Sequence, residues 1–254
     1  MFPLPPIASV MKLLALLAAA LVLPAQPPFG SPACSGPDSE PADRHFFFVC
    51  HSRSGKLPLW VGYTLSPAQL TGVASRPSRF REDRLLSGPR ATDRDYRHSG
   101  FSRGHLAPAA DFAFSDDAIR TTFLLSNAVP QRQRVNAGRW AQAEAAVRRL
   151  ARDADRVHVF SGVLCEGPIE RIGASQIAVP SHTYKVVLAV QARRMRMYAV
   201  IVPNRDQVSH PLDRFAVTVD EVERRSGLDF FSDLEDSEER NLESRLGMLA
   251  ADGR

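Results

Sequence analysis

Lysine and cysteine are both scarce in this chain of 254 residues. Only three of its 32 basic residues are lysines (Lys12, Lys56 and Lys185), and the planar guanidinium of the remaining arginines suits bidentate phosphate contacts. Genomic base composition also favours arginine, so this bias does not identify a ligand. None of the three cysteines stands in a Cys-x-x-Cys pair, which argues against a structural zinc site.

The chain also lacks an apolar run long enough to be assigned as a membrane span. Residues 10–23 are apolar except for Lys12, and a proline-rich stretch follows at 24–28. We predict a signal peptide over residues 1–25, with Met11 as an alternative start and an uncleaved membrane anchor as the alternative interpretation. After cleavage the protein has no stable membrane span and is predicted to be secreted or periplasmic, where disulfides persist.

Residues 26–44 are rich in Pro, Gly, Ser and Ala and show no periodicity, so we predict a flexible linker there. A single catalytic domain is expected over residues 45–254. Cys34 and Cys50 are close enough in sequence to pair in an oxidising compartment, which would pin the linker to the first strand. Cys165 is then left over.

Alternating and continuous apolar runs predict strands at residues 46–49, 59–65, 157–162, 183–190 and 195–202. Helices are predicted at 115–122 with Ser115 as the cap, at 139–152 and at 219–226 with Gly227 ending the last one. Residues 71–97 and 127–138 are predicted to be loops. Strands and helices mix without strict alternation and without an internal repeat, which favours an α+β fold with a mainly antiparallel sheet.

Charge is unevenly distributed along the chain. Residues 75–103 contain eight arginines and four acidic residues, whereas residues 232–245 contain six acidic residues and two arginines. A basic stretch with a distant acidic end is typical of a face that binds a polyanion, although each run alone also fits an ordinary solvated surface.

The basic stretch leads into the tetrapeptide Ser-Arg-Gly-His at 102–105. Phosphodiester hydrolysis needs a base for water, and neutral imidazole such as that of His105 can take a proton near pH 7. Arg103 suits the charge on a phosphate oxygen, and Gly104 allows close backbone approach to a ligand. Taken alone, this tetrapeptide more often contains a structural histidine than a catalytic one.

A second segment carries Asn136, Trp140 and Glu144 at steps of four residues, which return to nearly the same side of a helix. The amide oxygen of Asn136 and the carboxylate of Glu144 would then lie at the inner side of this helix. Such groups suit a hard cation such as Mg²⁺, which keeps most of its waters. The alternative is that Asn136 caps the helix and Glu144 is half-exposed. We predict that this segment and Ser-Arg-Gly-His meet and hold a metal ion against a phosphate.

The motifs resemble those of the DNA/RNA non-specific endonuclease family, which includes endonuclease G and secreted sugar-non-specific nucleases and has the ββα-metal fold. The resemblance is carried by Ser-Arg-Gly-His-Leu-Ala-Pro-Ala-Ala-Asp at 102–111, by Phe-Leu-Leu-Ser-Asn-Ala-Val-Pro-Gln at 123–131, and by Asn136, Trp140 and Glu144. It continues through 159–164, 178–186, 202–204 and 217–228, and covers about residues 60–231.

The resemblance implies that His105 is the general base and that Asn136 ligates Mg²⁺ (or Mn²⁺) directly. It implies that Glu144 holds metal-bound water and that Arg103 contacts phosphate. Asn127 and Gln131 would shape the site and its contacts with substrate. The family's upstream arginine would be Arg79 or Arg81.

The activity implied is metal-dependent hydrolysis of DNA and RNA, and a homodimer is left open. Ser102 departs from the aspartate of many members and resembles exonuclease-like relatives, so endonuclease and exonuclease action both remain open. Two other functions stay open: a catalytically weak module of the same fold that binds nucleic acid or another polyanion, and a phosphodiesterase for small molecules.

Overall fold

A seven-stranded antiparallel sheet forms the centre of the computed structural model, which describes residues 29–206 and 210–249. In chain order the strands are β1 Ser39–Asp43, β2 Phe48–Ser52, β3 Leu57–Leu65, β4 Ser102–His105, β5 Ala128–Gln131, β6 Arg156–Leu164, β7 Arg171–Ile172, β8 Ile177–Ala178, β9 His182–Gln191, β10 Arg194–Pro203 and β11 Ala216–Val217. The large sheet has the order β1-β2-β3-β6-β9-β10-β11, while β4 pairs with β5 and β7 with β8.

Helices lie against both faces of this sheet. The α-helices in the described part of the chain are α1 Asp93–Tyr96, α2 Asp116–Thr122, α3 Gln133–Val135, α4 Ala141–Asp153, α5 Val219–Ser226 and α6 Asp236–Glu243. A π-helical turn, Asn136–Trp140, joins α3 to α4. The predicted α+β architecture with a mainly antiparallel sheet is confirmed.

The two faces of the sheet carry separate cores. Successive side chains of a strand point to opposite faces, and in β9 Tyr184 and Val186 join the core beneath α5 and α6. Val187 and Ala189 join the core beneath α4. Lys185 is two residues from Val187, so its side chain points to the same face of the sheet. It is buried on the α4 face, where the predicted site lies.

Helix α4 packs through the apolar stripe that its sequence predicts, since its small and branched side chains recur at helical spacing and are buried. The predicted ends of two other helices are also confirmed. The Ser115 hydroxyl accepts hydrogen bonds from the first backbone N–H groups of α2, and Gly227 ends α5 at φ +70°.

The predicted linker and one predicted loop need correction. Residues 39–43 form β1, which pairs with β2 at the edge of the sheet. Its burial alternates, but the buried positions are Glu40 and Ala42 with Pro41 between them, so the sequence shows no alternation of strongly apolar residues. Residues 127–138 are not a loop: they form β5, α3 and the start of the π turn. The first predicted strand, 46–49, is displaced to Phe48–Ser52.

A disulfide joins Cys34 to Cys50, as the spacing allows, and ties the segment before β1 to β2. Cys165 is a free, exposed cysteine. Within residues 29–206 and 210–249, no helix is long and apolar enough to cross a bilayer. The predicted signal peptide at 1–25 lies outside the described residues.

Candidate active site

His105 ends β4, and its backbone carbonyl joins the two segments that the sequence predicts to meet. That carbonyl accepts a hydrogen bond of 2.8 Å from Nε1 of Trp140, at the end of the π turn. The strand is held in register by β5, with His105 opposite Ala128. The predicted meeting of Ser-Arg-Gly-His with the Asn136 segment is therefore confirmed.

The imidazole of His105 lies in an aromatic pocket and is only 7% exposed. The ring centroids of Phe80 and Phe123 lie 4.8 and 4.9 Å from its own. Burial, with the charge of Arg76 as a second cause, lowers the pKa of His105 to about 3. Its Nε2 is buried and has no hydrogen-bond partner among the described residues. The ring is therefore neutral at physiological pH, with one nitrogen not engaged by protein.

Gly104 is required by close packing. A Cβ at this position would lie 2.3 Å from Oε1 and 2.9 Å from Cβ of Gln131, which faces it from β5. Gln131 is fully buried, and its Nε2 donates to Oγ1 of Thr183 at 3.3 Å. Gln131 thus connects the histidine strand to β9 in the large sheet.

Asn127 holds the backbone that follows His105. Its Nδ2 donates to the carbonyls of Ala107 and Thr122 at 2.9 and 2.8 Å, and its Oδ1 accepts from the Ala107 N–H at 2.8 Å. Both amide protons are therefore used within the protein, and the side chain is fully buried. This geometry corrects the predicted substrate contact, because Asn127 instead holds the backbone next to His105 in place.

Asn136 and Glu144 lie on the continuous helix whose Trp140 contacts His105. Asn136 has helical dihedral angles inside the π turn (φ −56°, ψ −51°), so the alternative of a helix-capping asparagine is wrong. Both residues are partly exposed. Within the described residues neither side chain donates or accepts a hydrogen bond, which leaves an amide oxygen and a carboxylate free for a ligand. Such π turns occur frequently at functional sites.

Lys185 is a buried cation beneath this site that the sequence patterns did not identify. Its Nζ donates to Oγ of Ser161 at 2.7 Å and to the carbonyl of Leu106 at 3.3 Å. The same Nζ lies 4.4 Å from the ring centroid of Trp140. Burial lowers the pKa of Lys185 and raises that of Glu144, while the attraction between the two groups opposes both shifts. Lys185 therefore contacts both segments of the site.

A second buried charge group supports α4. Oδ1 of Asp111 accepts from Nη1 of Arg148 at 2.9 Å, and Oδ2 accepts from the Tyr63 hydroxyl at 2.9 Å. Asp111 is fully buried, and burial raises its pKa. The Asp111 charge also raises the pKa of Glu144. This group therefore links the last residue of the first motif to the helix that carries Glu144.

The arginines predicted for phosphate contact are arranged differently from one another. Arg103 is engaged by Asp93, with Nη2 2.7 Å from Oδ1 and 2.8 Å from the backbone carbonyl. Arg81 is fixed by its backbone alongside residues 123–125, and its guanidinium reaches the Arg120 carbonyl at 3.4 Å. Arg79 is exposed and forms no ion pair within the described residues.

Arg76, which the sequence analysis did not single out, lies close to the His105 pocket. Its Cζ lies 5.3 Å from the ring centroid of Phe123, one of the walls of the His105 pocket. Its charge lowers the pKa of both His105 and Glu144. A loop residue without periodic neighbours leaves no sequence signal of this position, so only the folded loop reveals it.

The site combines a neutral buried histidine, two side-chain oxygens that the described protein groups do not engage, and a nearby arginine. These groups suit a hydrolase site of the nuclease type. The comparisons with known proteins identify the family. The model of the DNA/RNA non-specific endonuclease family matches residues 25–237, and the chain belongs to that family. The predicted family and the predicted class of enzyme, a nuclease, are confirmed.

Individual relatives agree with this assignment. The chain is 38% identical to the mitochondrial nuclease EXOG of Danio rerio, over 82% of this chain and 64% of that protein. It is 34% identical to the mitochondrial endonuclease G of Bos taurus, over 92% of this chain and 83% of that protein. A crystal structure of endonuclease G with its inhibitor EndoGI matches with a TM-score of 0.74 and 31% identity, over 82% and 90% of the two chains. The predicted fold is thereby confirmed.

The predicted secreted or periplasmic location is wrong. The EXOG and endonuclease G relatives are named as mitochondrial nucleases. A short apolar stretch with one lysine does not by itself identify a destination. The chain spans just under two thirds of the length of the EXOG relative from Danio rerio.

Proposed function

We propose that this chain is a Mg²⁺-dependent nuclease that hydrolyses phosphodiester bonds in DNA and RNA, with His105 as the general base. The observation that carries the proposal is the neutral imidazole of His105, whose Nε2 has no partner among the described residues. Trp140, on the helix of Asn136 and Glu144, donates a hydrogen bond to the backbone carbonyl of His105. Family membership supports the same chemistry.

The donor set fits a hard divalent cation. The side-chain oxygens of Asn136 and Glu144 are not engaged by the described protein groups, and such oxygens are the ligands that Mg²⁺ prefers. Asn136 would ligate the ion directly and Glu144 would hold a water bound to it, and Mn²⁺ suits the same ligands. The bound cation would supply stabilisation of negative charge on the phosphate and on the leaving oxygen.

The protein's own groups then have separate tasks. His105 accepts the proton of the attacking water at Nε2, which is available because the ring stays neutral. Arg76 places a positive charge beside His105 for the phosphate, and Arg103 contacts the substrate if phosphate displaces Asp93 from its guanidinium. Asn127, Gln131 and Lys185 keep the histidine strand in place.

Binding is dominated by backbone phosphates, so we expect weak sequence preference and strong dependence on salt. The free oxygens and the neutral histidine favour catalysis over the alternative of a polyanion-binding module, because binding alone requires neither. The homodimer stays a prediction. Relatives include both EXOG and endonuclease G, so the mode of cleavage needs a direct test.

The test uses circular plasmid DNA, which has no ends for an exonuclease, with Mg²⁺ present or removed by EDTA. We expect the wild type to cleave circles only with Mg²⁺, and His105→Ala to lose about 10²–10⁴-fold in rate. His210→Ala, an exposed histidine, is the matched control and should keep its activity. Unchanged cleavage by His105→Ala would contradict the proposed base. Cleavage of linear DNA alone would assign exonuclease action.

A further inference from the structure

A cluster of carboxylates lies between α5 and α6, on the sheet face opposite the catalytic site. Asp220 and Glu223 stand three residues apart on α5, so their side chains lie on the same side of the helix. Glu243 ends α6. One carboxylate oxygen from each of the three lies within 4.8 Å of the other two. The neighbouring apolar residues Val222 and Leu242 belong to the core beneath α5 and α6, not to the core of the His105 site.

Glu243 is the most unusual member of this cluster. It is only 6% exposed, and its Oε1 is buried without a hydrogen-bond partner in the described part of the chain. A buried polar atom without a partner is costly, and an unpaired buried charge is more so. Glu223 satisfies one oxygen by accepting a hydrogen bond of 2.8 Å from the Phe230 N–H. None of the three carboxylates forms an ion pair with any described residue.

Other charges around the cluster have the same sign. Burial, followed by the charges of Glu223 and Glu239, raises the pKa of Glu243 to about 8. Burial and nearby carboxylates including Asp229 also raise the pKa of Glu223 and Glu239. Arg240 opposes the shift of Glu239, whereas the main influences on Glu243 are burial and neighbouring carboxylates, all of which raise its pKa. The fold therefore concentrates negative charge with little compensation.

We propose that Asp220, Glu223 and Glu243 bind a divalent cation of the Ca²⁺ type, separate from the catalytic metal. Ca²⁺ accepts six to eight oxygen ligands at roughly 2.3–2.6 Å, so two ligands of one ion lie at most about 5 Å apart, which the three oxygens satisfy. Mg²⁺ requires a tighter octahedral shell and fits this spacing less well. Glu243 lies beyond residues 25–237, which the family model matches.

The cation would join α5 to α6 and stabilise the fold, without a part in hydrolysis. The test is the melting temperature at pH 8 in EDTA and in CaCl₂, measured on Asn136→Ala so that the proposed catalytic ligand is absent. At about one hundred times the dissociation constant, we expect Ca²⁺ to raise the melting temperature by about 5–10 °C. Isothermal titration calorimetry with Ca²⁺ should give one site.

Adding Glu243→Gln should abolish the response to Ca²⁺ and raise the melting temperature in EDTA, because one repelling charge is gone. Glu238→Gln, an exposed carboxylate on the same helix, is the matched control and should keep the response. If Ca²⁺ does not change the melting temperature of Asn136→Ala, the proposal is overturned. The cluster is then a group of protonated carboxyls without a bound ion. A Ca²⁺ response that survives Glu243→Gln would also overturn it. Neither result bears on cleavage by His105.

Discussion

The aromatic ring of Phe123 connects Arg76 to His105. The Arg76 guanidinium lies against one part of the ring, and the imidazole of His105 meets it edge to face. A cation held there opposes a positive charge on His105 and attracts a phosphate to the same place. Arg76 thus helps to keep His105 neutral, and under the proposed function it would also contact the substrate.

Replacement of Arg76 by Gln should therefore change both rate and pH dependence. We expect kcat/KM for plasmid cleavage to fall by about 10²–10³-fold, as for loss of one group that stabilises transition-state charge. Removing the nearby positive charge raises the pKa of His105, so the acidic limb of the pH–rate profile should move to higher pH. Arg79→Gln, an exposed arginine of the same loop, is the control. Equal losses in both variants would remove the special role of Arg76.

At the scale of elements, the two-stranded β4–β5 ladder carries the histidine across to the large sheet. Gly104 and Gln131 are packed so closely that no side chain fits at position 104. A displacement of β4 would move the imidazole of His105 and would also disturb the hydrogen bond between the His105 backbone carbonyl and Trp140. The position of the base therefore depends on a packing contact outside the reacting groups.

Gly104→Ala should lower the free energy of unfolding by about 1–3 kcal/mol through overpacking against Gln131. Urea unfolding measures this loss, and plasmid cleavage should fall with it because the strand shifts. Gly138→Ala is the matched control, since a Cβ there meets nothing within 4 Å. Combining Gly104→Ala with Gln131→Ala should cost less than the sum of the single changes. If the two losses of unfolding free energy simply add, the contact between Gly104 and Gln131 does not set the position of β4.

At the scale of the whole molecule, the fold buries several histidines in their neutral form. His51, in β2, is 1% exposed, and burial lowers its pKa to about 4. His158, in β6, is equally buried, with its pKa also lowered to about 4. The unfolded chain binds these protons near pH 6.5. Each such histidine therefore contributes stability above pH 6.5 that is lost as the pH falls towards 4.

His51→Gln isolates one of these contributions. Between pH 7 and pH 5 the unfolded wild type gains a proton at His51 that the folded protein does not, which costs about 2 kcal/mol. The variant carries no titrating group there, so its unfolding free energy in urea should fall by that much less over the interval. His210→Gln, at an exposed position, should follow the wild type. An identical fall for His51→Gln and wild type would show that His51 titrates normally.

The central strands and the main helices could be predicted because their apolar periodicity is set by burial against the sheet. Strand β9 and helix α5 were found on this basis, and the motifs correctly paired His105 with the Asn136 segment. Strand β1 was missed because its two buried residues are Glu40 and Ala42, which do not mark a strand by apolar alternation. The signal peptide predicted from the N-terminal residues led to the wrong compartment, since the relatives are named as mitochondrial.

The sequence by itself determined the family and the main strands of the sheet, and it supplied the candidate reacting groups, because these depend on residue type and local spacing. Only the tertiary structure decided which arginine faces the base, that Asn127 is a support rather than a contact, and that Lys185 lies beneath both segments. It also brought Glu243 to Asp220 and Glu223. These relations join residues far apart in the chain, and only packing sets the distance between such residues.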